Sequence, residues 1–167
     1  KMSNIIIGTA GHIDHGKTAL IHALNGFEGD STNEEKQRGI TIDLSFSNLT
    51  RAERNIAFID VPGHEKLIKN MIAGAFGFDY VMLVVSAKES LMPQTIEHIE
   101  ILSLLGIKNL ILVITKKDLV DEKILKEQES KIVEFLNEFE FNIKFIKAVS
   151  IYDEKSIEDL KNTLFTI

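Results

Sequence analysis

Gly11-His12-Ile13-Asp14-His15-Gly16-Lys17-Thr18 decides how the rest of the chain reads. Glycine, four residues, glycine, lysine and threonine is the spacing of a phosphate-binding loop. Such a loop joins a strand to a helix, and here the apolar run Ile5-Ile6-Ile7-Gly8 enters it while Ala19-Leu20-Ile21-His22-Ala23-Leu24 leaves it. Glycines without a Cβ let successive backbone N–H groups wrap an anion, and a helix N-terminus adds partial positive charge. The cradle is expected to comprise His12, Asp14, His15, Gly16, Lys17, Thr18 and Ala19. Lys17 would reach the β- and γ-phosphates, and the Thr18 hydroxyl would hold a magnesium ion. A tight strand-to-helix turn without a ligand is the plain alternative, and the strand and helix context weighs against it.

The chain has 167 residues, the size of one domain, read as a single unit over 1–167 that ends just after its last helix and is expected to be cut from a longer factor. With 44% apolar and 26% charged residues it is globular rather than disordered. Apolar runs such as Tyr80 to Val85 are far too short to cross a bilayer, so no membrane partner is expected. The net charge of −6 argues against a surface that grips nucleic acid by bulk electrostatics. With no cysteine there are no disulfides or thiolate metal sites, which fits a reducing cytoplasm. The five histidines are dispersed, so a zinc site is not expected either.

Beyond the first helix, Asn25 to Arg38 is polar and reads as a mobile loop. Ile42, Leu44 and Phe46 alternate with Asp43, Ser45 and Ser47 as a half-covered strand does. A polar turn over 50–55 then leads into Ile56 to Asp60, which suggests an antiparallel hairpin. From there strands and helices alternate. Leu67, Ile68, Met71, Ile72 and Ala75 keep helical spacing, while Tyr80 to Val85 and Leu110 to Ile114 read as strands covered on both faces. Pro93 opens a helix that Gly106 closes. Ile124 to Phe139 forms a long amphipathic helix, Ile143 to Ile146 a short strand, and Ser156 with Asp159 starts a final helix. The expectation is an α/β fold: a six-stranded, mostly parallel sheet with one antiparallel hairpin strand and helices on both faces. In such sheets ligands bind at the carboxyl ends of the strands, where the first loop already sits.

Three further segments should meet that loop. Asp60-Val61-Pro62-Gly63-His64 ends a strand, with Asp60 placed to bind magnesium and Gly63 to offer its N–H to a γ-phosphate; the same composition also suits an ordinary turn. Thr41, closing Arg38-Gly39-Ile40-Thr41, is expected to give its hydroxyl to the same ion, which would make the preceding loop a switch ordered by triphosphate. Thr115-Lys116-Lys117-Asp118 follows a strand; an exposed Lys-Lys-Asp turn is the plain alternative, but the Asp118 carboxylate can accept hydrogen bonds from the N1–H and exocyclic amine of guanine, a pair that adenine cannot supply. GTP is therefore favoured over ATP. Ser150, after the last strand, is expected to bring its backbone N–H to the guanine O6.

Taken in this order, GHIDHGKT, RGIT, DVPGH, Lys-x-Asp and a late Val-Ser resemble the G domain of translational GTPases of the elongation factor Tu type, a P-loop NTPase fold, over essentially the whole chain. Ile5 to His12, Glu34 to Leu44 and Leu91 to His98 are similar to the selenocysteine-specific elongation factors, in which threonine in place of the first asparagine of the guanine motif, as at Thr115, is familiar. The resemblance implies GTP and GDP with Mg2+ as ligands, and slow intrinsic hydrolysis stimulated by the ribosome. His64, with Lys17 and Thr41, would act on the reacting phosphate, His64 by positioning the attacking water. Ile13 and Ile40 match the two apolar residues that hold that histidine back. Asp14 matches an acidic residue associated with a monovalent cation. His12 and His15 would be loop structure, and His22 and His98 helix residues. Thr115 would lack the asparagine side chain that braces the phosphate loop, lowering affinity. Ile151 stands where alanine is usual.

The function implied is a switch that delivers selenocysteyl-tRNA to the ribosome, monomeric as an isolated domain. The alternatives are another elongation factor Tu-like or initiation-factor-gamma-like GTPase, a module that binds GTP without turnover, or a P-loop phosphotransferase. The last would need a lid with arginines, and only Arg38, Arg51 and Arg54 are present.

Overall fold

The computed structural model describes residues 3–26, 46–61 and 77–167, with no statement about the side chain of Ile13. The expectations for Arg38, Ile40, Thr41, Gly63 and His64, for a strand beginning at Ile42, and for a helix over Leu67 to Ala75 fall outside those residues.

Among the described residues ten strands and α-helices follow one another: β1 (Ser3–Gly11), α1 (Lys17–Asn25), β2 (Phe46–Arg51), β3 (Arg54–Asp60), β4 (Tyr80–Ser86), α2 (Pro93–Leu104), β5 (Asn109–Thr115), α3 (Glu122–Asn137), β6 (Asn142–Ala148) and α4 (Glu154–Leu164). The six strands form one sheet in the order β2-β3-β1-β4-β5-β6. Only β2 runs antiparallel, paired with β3, and the five other strands are parallel. The expected α/β sheet is therefore present.

Strand alternation explains why both faces are covered. In β4, Val81, Leu83 and Val85 enter one core, and Met82 and Val84 enter the other. In β5, Leu110, Leu112 and Ile114 divide from Ile111 and Val113 in the same way. All of these are fully buried, as a run without polar residues requires when helices lie above and below. Leu20 and Leu24 of α1 pack with Leu160 and Leu164 of α4 on one face, and Ile99 and Leu102 of α2 with Ile132 and Leu136 of α3 on the other.

Helix ends follow local chemistry. Pro93 stands in the first turn of α2, and Gly106, at φ +78°, takes the left-handed position beyond its end. Asp121 caps α3 by accepting the Ile124 N–H at 2.8 Å.

Four boundaries differ from the sequence reading. The hairpin turn is not the whole polar stretch 50–55 but Ala52-Glu53 alone, with Ala52 at φ +54°. Thr50 and Arg51 continue β2, and the Thr50 hydroxyl donates to Asn55 Oδ1 across the pair at 2.9 Å. Polar residues there mark an exposed edge strand rather than a loop. The strand expected at Ile143 to Ile146 extends to Asn142–Ala148. Helix α3 stops at Asn137, so Phe139 lies beyond it, its ring between those of Phe135 and Phe141. Ser156 does not start the last helix: Asp153 is its N-cap, and the Ser156 hydroxyl donates back to the Asp153 carbonyl at 2.7 Å.

The registers bring the strand ends to one rim. Thr9 pairs with Asp60, Gly11 with Val84, Ser86 with Thr115, and Ile114 with Ala148. The chain crosses to opposite sides of β1, first to β3 and then to β4, so the loop after β1 lies where strand order reverses.

Candidate nucleotide site

Gly11 has two reasons to be glycine. Its φ is +131°, and a Cβ there would lie 2.2 Å from the Val84 carbonyl oxygen. The tightness is toward β4, not toward a ligand. Gly16, at φ +88° with open space where a Cβ would stand, turns the chain from the 3-10 turn Ile13–His15 into α1, and its carbonyl accepts the Leu20 N–H at 2.8 Å. Thr18 and Ala19 are exposed in the first turn of α1, and Asp14 is exposed in the turn before it.

Two buried histidines hold this loop. The His98 Nδ1, on α2, accepts the Gly11 N–H at 3.0 Å. The His15 Nδ1 accepts the Ser86 N–H at 3.1 Å, so its proton sits on Nε2, 3.2 Å from Glu89 Oε2. Burial pushes both rings below the ordinary histidine value; for His15 the Glu89 carboxylate opposes this, and for His98 the Lys17 ammonium adds to it. Both are therefore neutral acceptors near neutral pH. His98 is more than a helix residue, and the His15 side chain turns into the protein rather than toward a ligand. The His12 Nδ1 accepts the Asp14 N–H at 3.0 Å, capping the 3-10 turn. His22 lies in the last turn of α1.

The Lys17 ammonium is 2.9 Å from Asp60 Oδ1, which also accepts from the Thr9 hydroxyl at 3.1 Å. Thus the lysine of the loop and the carboxylate that ends β3 meet at one point. Among the described residues no group of three or more His, Cys, Asp or Glu side chains is arranged to hold a metal ion.

From the far side the segment Thr115 to Asp118 reaches the same loop. The Thr115 hydroxyl donates to the His15 carbonyl at 2.6 Å, and the Lys116 ammonium to the Asp14 carbonyl at 2.8 Å. The expectation that threonine leaves the loop without a brace is thereby corrected: a short side chain suffices because β5 ends directly beneath His15. Lys116 adopts φ +58°, which turns the chain so that Asp118 faces a pocket of about 240 Å³ shared with Gly16 and Ala19. The opposite wall is Val149, Ile151 and Tyr152.

Ser150 does not offer its N–H to that pocket. The amide donates to Ser156 Oγ at 3.1 Å, and Ser150 itself is 2% exposed. The Ile151 N–H, one residue on, has no protein acceptor among the described residues. Arg51 and Arg54 lie at the other end of the sheet, where Arg54 pairs with Ser3 and bonds the Phe165 carbonyl at 2.7 Å, so they cannot form a lid over the loop.

The profile of the elongation factor Tu GTP binding domain matches residues 2–167. The chain belongs to the elongation factor Tu GTP-binding domain family. Within that family it is 47% identical over 158 residues to a selenocysteine-specific elongation factor from Desulfomicrobium baculatum, covering 94% of this chain and 25% of that protein. It is 38% identical over 159 residues to a translation initiation factor 2 subunit gamma from Thermococcus onnurineus, covering 81% of this chain and 39% of that protein. A crystal structure of a bacterial selenocysteine-specific elongation factor superposes with a TM-score of 0.78 at 44% identity, covering 99% of this chain and 28% of the other. The elongation factor SelB of Methanococcus maripaludis, solved with the GTP analogue GPPNHP, gives 0.74 at 33% identity over 99% of this chain and 34% of that one. The chain thus spans about a quarter of the length of the selenocysteine factors it matches.

What the sequence did not disclose is the support behind this family's loop. Ser86, Glu89 and His98 lie 71 or more residues from their partners, and no spacing announces such contacts. Among the described residues no helix is long and apolar enough to cross a membrane.

Proposed function

We propose that the chain binds and hydrolyses GTP as the switch domain of a selenocysteine-specific elongation factor. The observation that carries this reading is the single pocket that runs from Gly16 and Ala19 of the phosphate loop to Asp118. A nucleotide laid in it would have phosphates at the N-terminus of α1 and its base against Asp118.

Each residue then has a defined task. Backbone amides from Gly16 to Ala19 surround the phosphates, those of Asp14 and His15 being engaged by His12. Lys17 exchanges the Asp60 carboxylate for the β- and γ-phosphates, and Asp60 is released toward the ion. Thr18 and Asp60 offer hard oxygen donors, as magnesium prefers, and an ion that keeps several waters and takes phosphate oxygens needs no larger protein cluster. When bound, Mg2+ would neutralise charge on the β- and γ-oxygens. Thr41, Gly63 and His64 are assigned to the γ-phosphate and the attacking water on the family resemblance, with Ile13 and Ile40 restraining His64. Asp14 is exposed, and its carboxylate is where a monovalent cation would sit; Lys116 already brings positive charge to the Asp14 carbonyl.

Asp118 accepts from guanine N1–H and the exocyclic amine. The O6 contact falls to the Ile151 N–H rather than to that of Ser150, whose amide is already engaged. Ribosome and selenocysteyl-tRNA would be partners of the full-length factor in the cytoplasm, with the domain itself monomeric. Higher identity to the selenocysteine factors than to the initiation factor gamma subunit favours the first assignment.

Base recognition provides the test. Asp118→Asn replaces an acceptor by an amide that also donates, so competition binding should move preference from GDP toward xanthosine diphosphate. Unchanged preference would remove Asp118 from the base site and the guanine reading with it.

A further inference from the structure

We propose that the ion pair between Lys117 and Asp153 is a strap across the base pocket, positioning the Ile151–Tyr152 rim and slowing nucleotide release. The proposal rests on the guanine-nucleotide reading above. Lys117 Nζ lies 2.9 Å from Asp153 Oδ2. Lys117 immediately precedes Asp118 on one rim, and Asp153 immediately follows Tyr152 on the other. Among the described residues the backbones of these rims are joined where the Lys117 N–H donates to the Val149 carbonyl at 3.2 Å. Above that point the Ile151 and Tyr152 side chains are 45% and 83% exposed, and the backbone is tied down locally, the Tyr152 N–H to Ser150 Oγ at 3.1 Å and the Asp153 N–H to the Ser150 carbonyl at 3.0 Å.

The behaviour of Asp153 as a helix cap points the same way. Asp121, the N-cap of α3, spends its carboxylate on its own helix. Asp153, the N-cap of α4, makes no cap bond of that quality: its carboxylate goes first to Lys117, with the Ser156 and Lys155 amides as lesser partners. The Lys117 hydrogen bond holds that carboxyl below the usual range, so the carboxylate stays ionised throughout the neutral region. Lys117 takes no part in contacting the base in the assignment above. Both side chains are partly exposed, at 30% and 44%, and pairs of this kind add little to fold stability. Their effect should therefore appear in the opening of the rim rather than in global unfolding.

Stopped-flow release of N-methylanthraniloyl-GDP from the chain tests this. At low ionic strength Lys117→Gln and Asp153→Asn should each speed release up to about fivefold, the range an exposed ion pair can supply. Asparagine is itself a good N-cap, so the melting temperature of unliganded Asp153→Asn should not move. Raising salt should bring the wild-type rate up to that of the variants. Exchanging the two charges, Lys117→Asp with Asp153→Lys, should restore most of the slow release. Equal rates for wild type and both single variants at low salt would overturn the strap, and so would an acceleration that the exchange leaves in place. If the wild-type chain retained no labelled GDP, the nucleotide reading beneath the proposal would fail instead.

Discussion

Around the phosphate loop, backbone groups meet buried partners: the Gly11 N–H meets His98, the Ser86 N–H meets His15, and the His15 carbonyl meets Thr115. Around the base pocket, Leu119, Ile151 and Tyr152 are 54%, 45% and 83% exposed, and the edges meet through an ion pair that faces water. The difference follows from what each part must recognise. A phosphate is bound by backbone amides, which cannot reorient singly, so their positions have to be fixed before the ligand arrives. A base, in the function proposed, would be chosen by the Asp118 carboxylate, on a side chain that can adjust. Substitutions should therefore damage the fold on the phosphate side and leave it intact on the base side.

The severest break is Gly11→Ala. The added methyl would lie 2.2 Å from the Val84 oxygen at a backbone angle that L residues avoid. Neither β1 nor β4 can retreat, because both are central in the sheet and buried on each face. A loss of about 3 kcal/mol or more is expected, in the range of strained core positions. Urea denaturation would show it as a fall in midpoint, and an unchanged midpoint would remove the rigid half of the contrast.

Thr115→Val is milder and more specific. The shape is kept while the hydroxyl is lost, which leaves the His15 carbonyl short of a donor in a buried setting. The cost should be about 1–3 kcal/mol in stability. Because the same bond joins the guanine motif to the phosphate loop, affinity for GDP should fall as well, by about tenfold for each 1.4 kcal/mol of coupling that is lost. Calorimetric titration that found GDP affinity untouched would show that the two motifs act independently.

How much of this could be read beforehand depends on whether the signal is local. Tyr80 to Val85 and Leu110 to Ile114 declared buried strands because an unbroken apolar run has few other uses. The phosphate loop declared itself by spacing, and Asp118 by its place after a strand. The hairpin turn was misplaced because Thr50, polar in sequence, sits on the edge strand β2 and bonds Asn55 across the pair at the hairpin end of β3, where polarity costs little. The bracing role of Thr115 was missed for the opposite reason: the contact depends on how closely β5 passes beneath residue 15, a distance that composition does not carry. His98 looked like an ordinary helical residue, since its partner lies 87 positions away.

Acidity separates the two regions by a different measure. His15 and His98 are held below 6.5 by burial, so under mildly acidic conditions the unfolded chain binds protons that the native chain refuses. Stability is then complete above about pH 6.5 and declines as pH falls from there toward the native values of the two rings. On the base side the shifted group is Asp153, which is held below 3.8, so its contribution is present above that value and lost only as pH drops through its lower native one. Between pH 7 and 5.5, then, protonation should loosen the phosphate side alone. His98→Asn offers a check, since its amide oxygen can take the Gly11 N–H without titrating. Denaturation midpoints measured across that window should slope less steeply for the variant than for the wild type. Parallel slopes would mean that His98 does not resist protonation in the folded chain, and the phosphate loop would lose one of its two buried histidine supports.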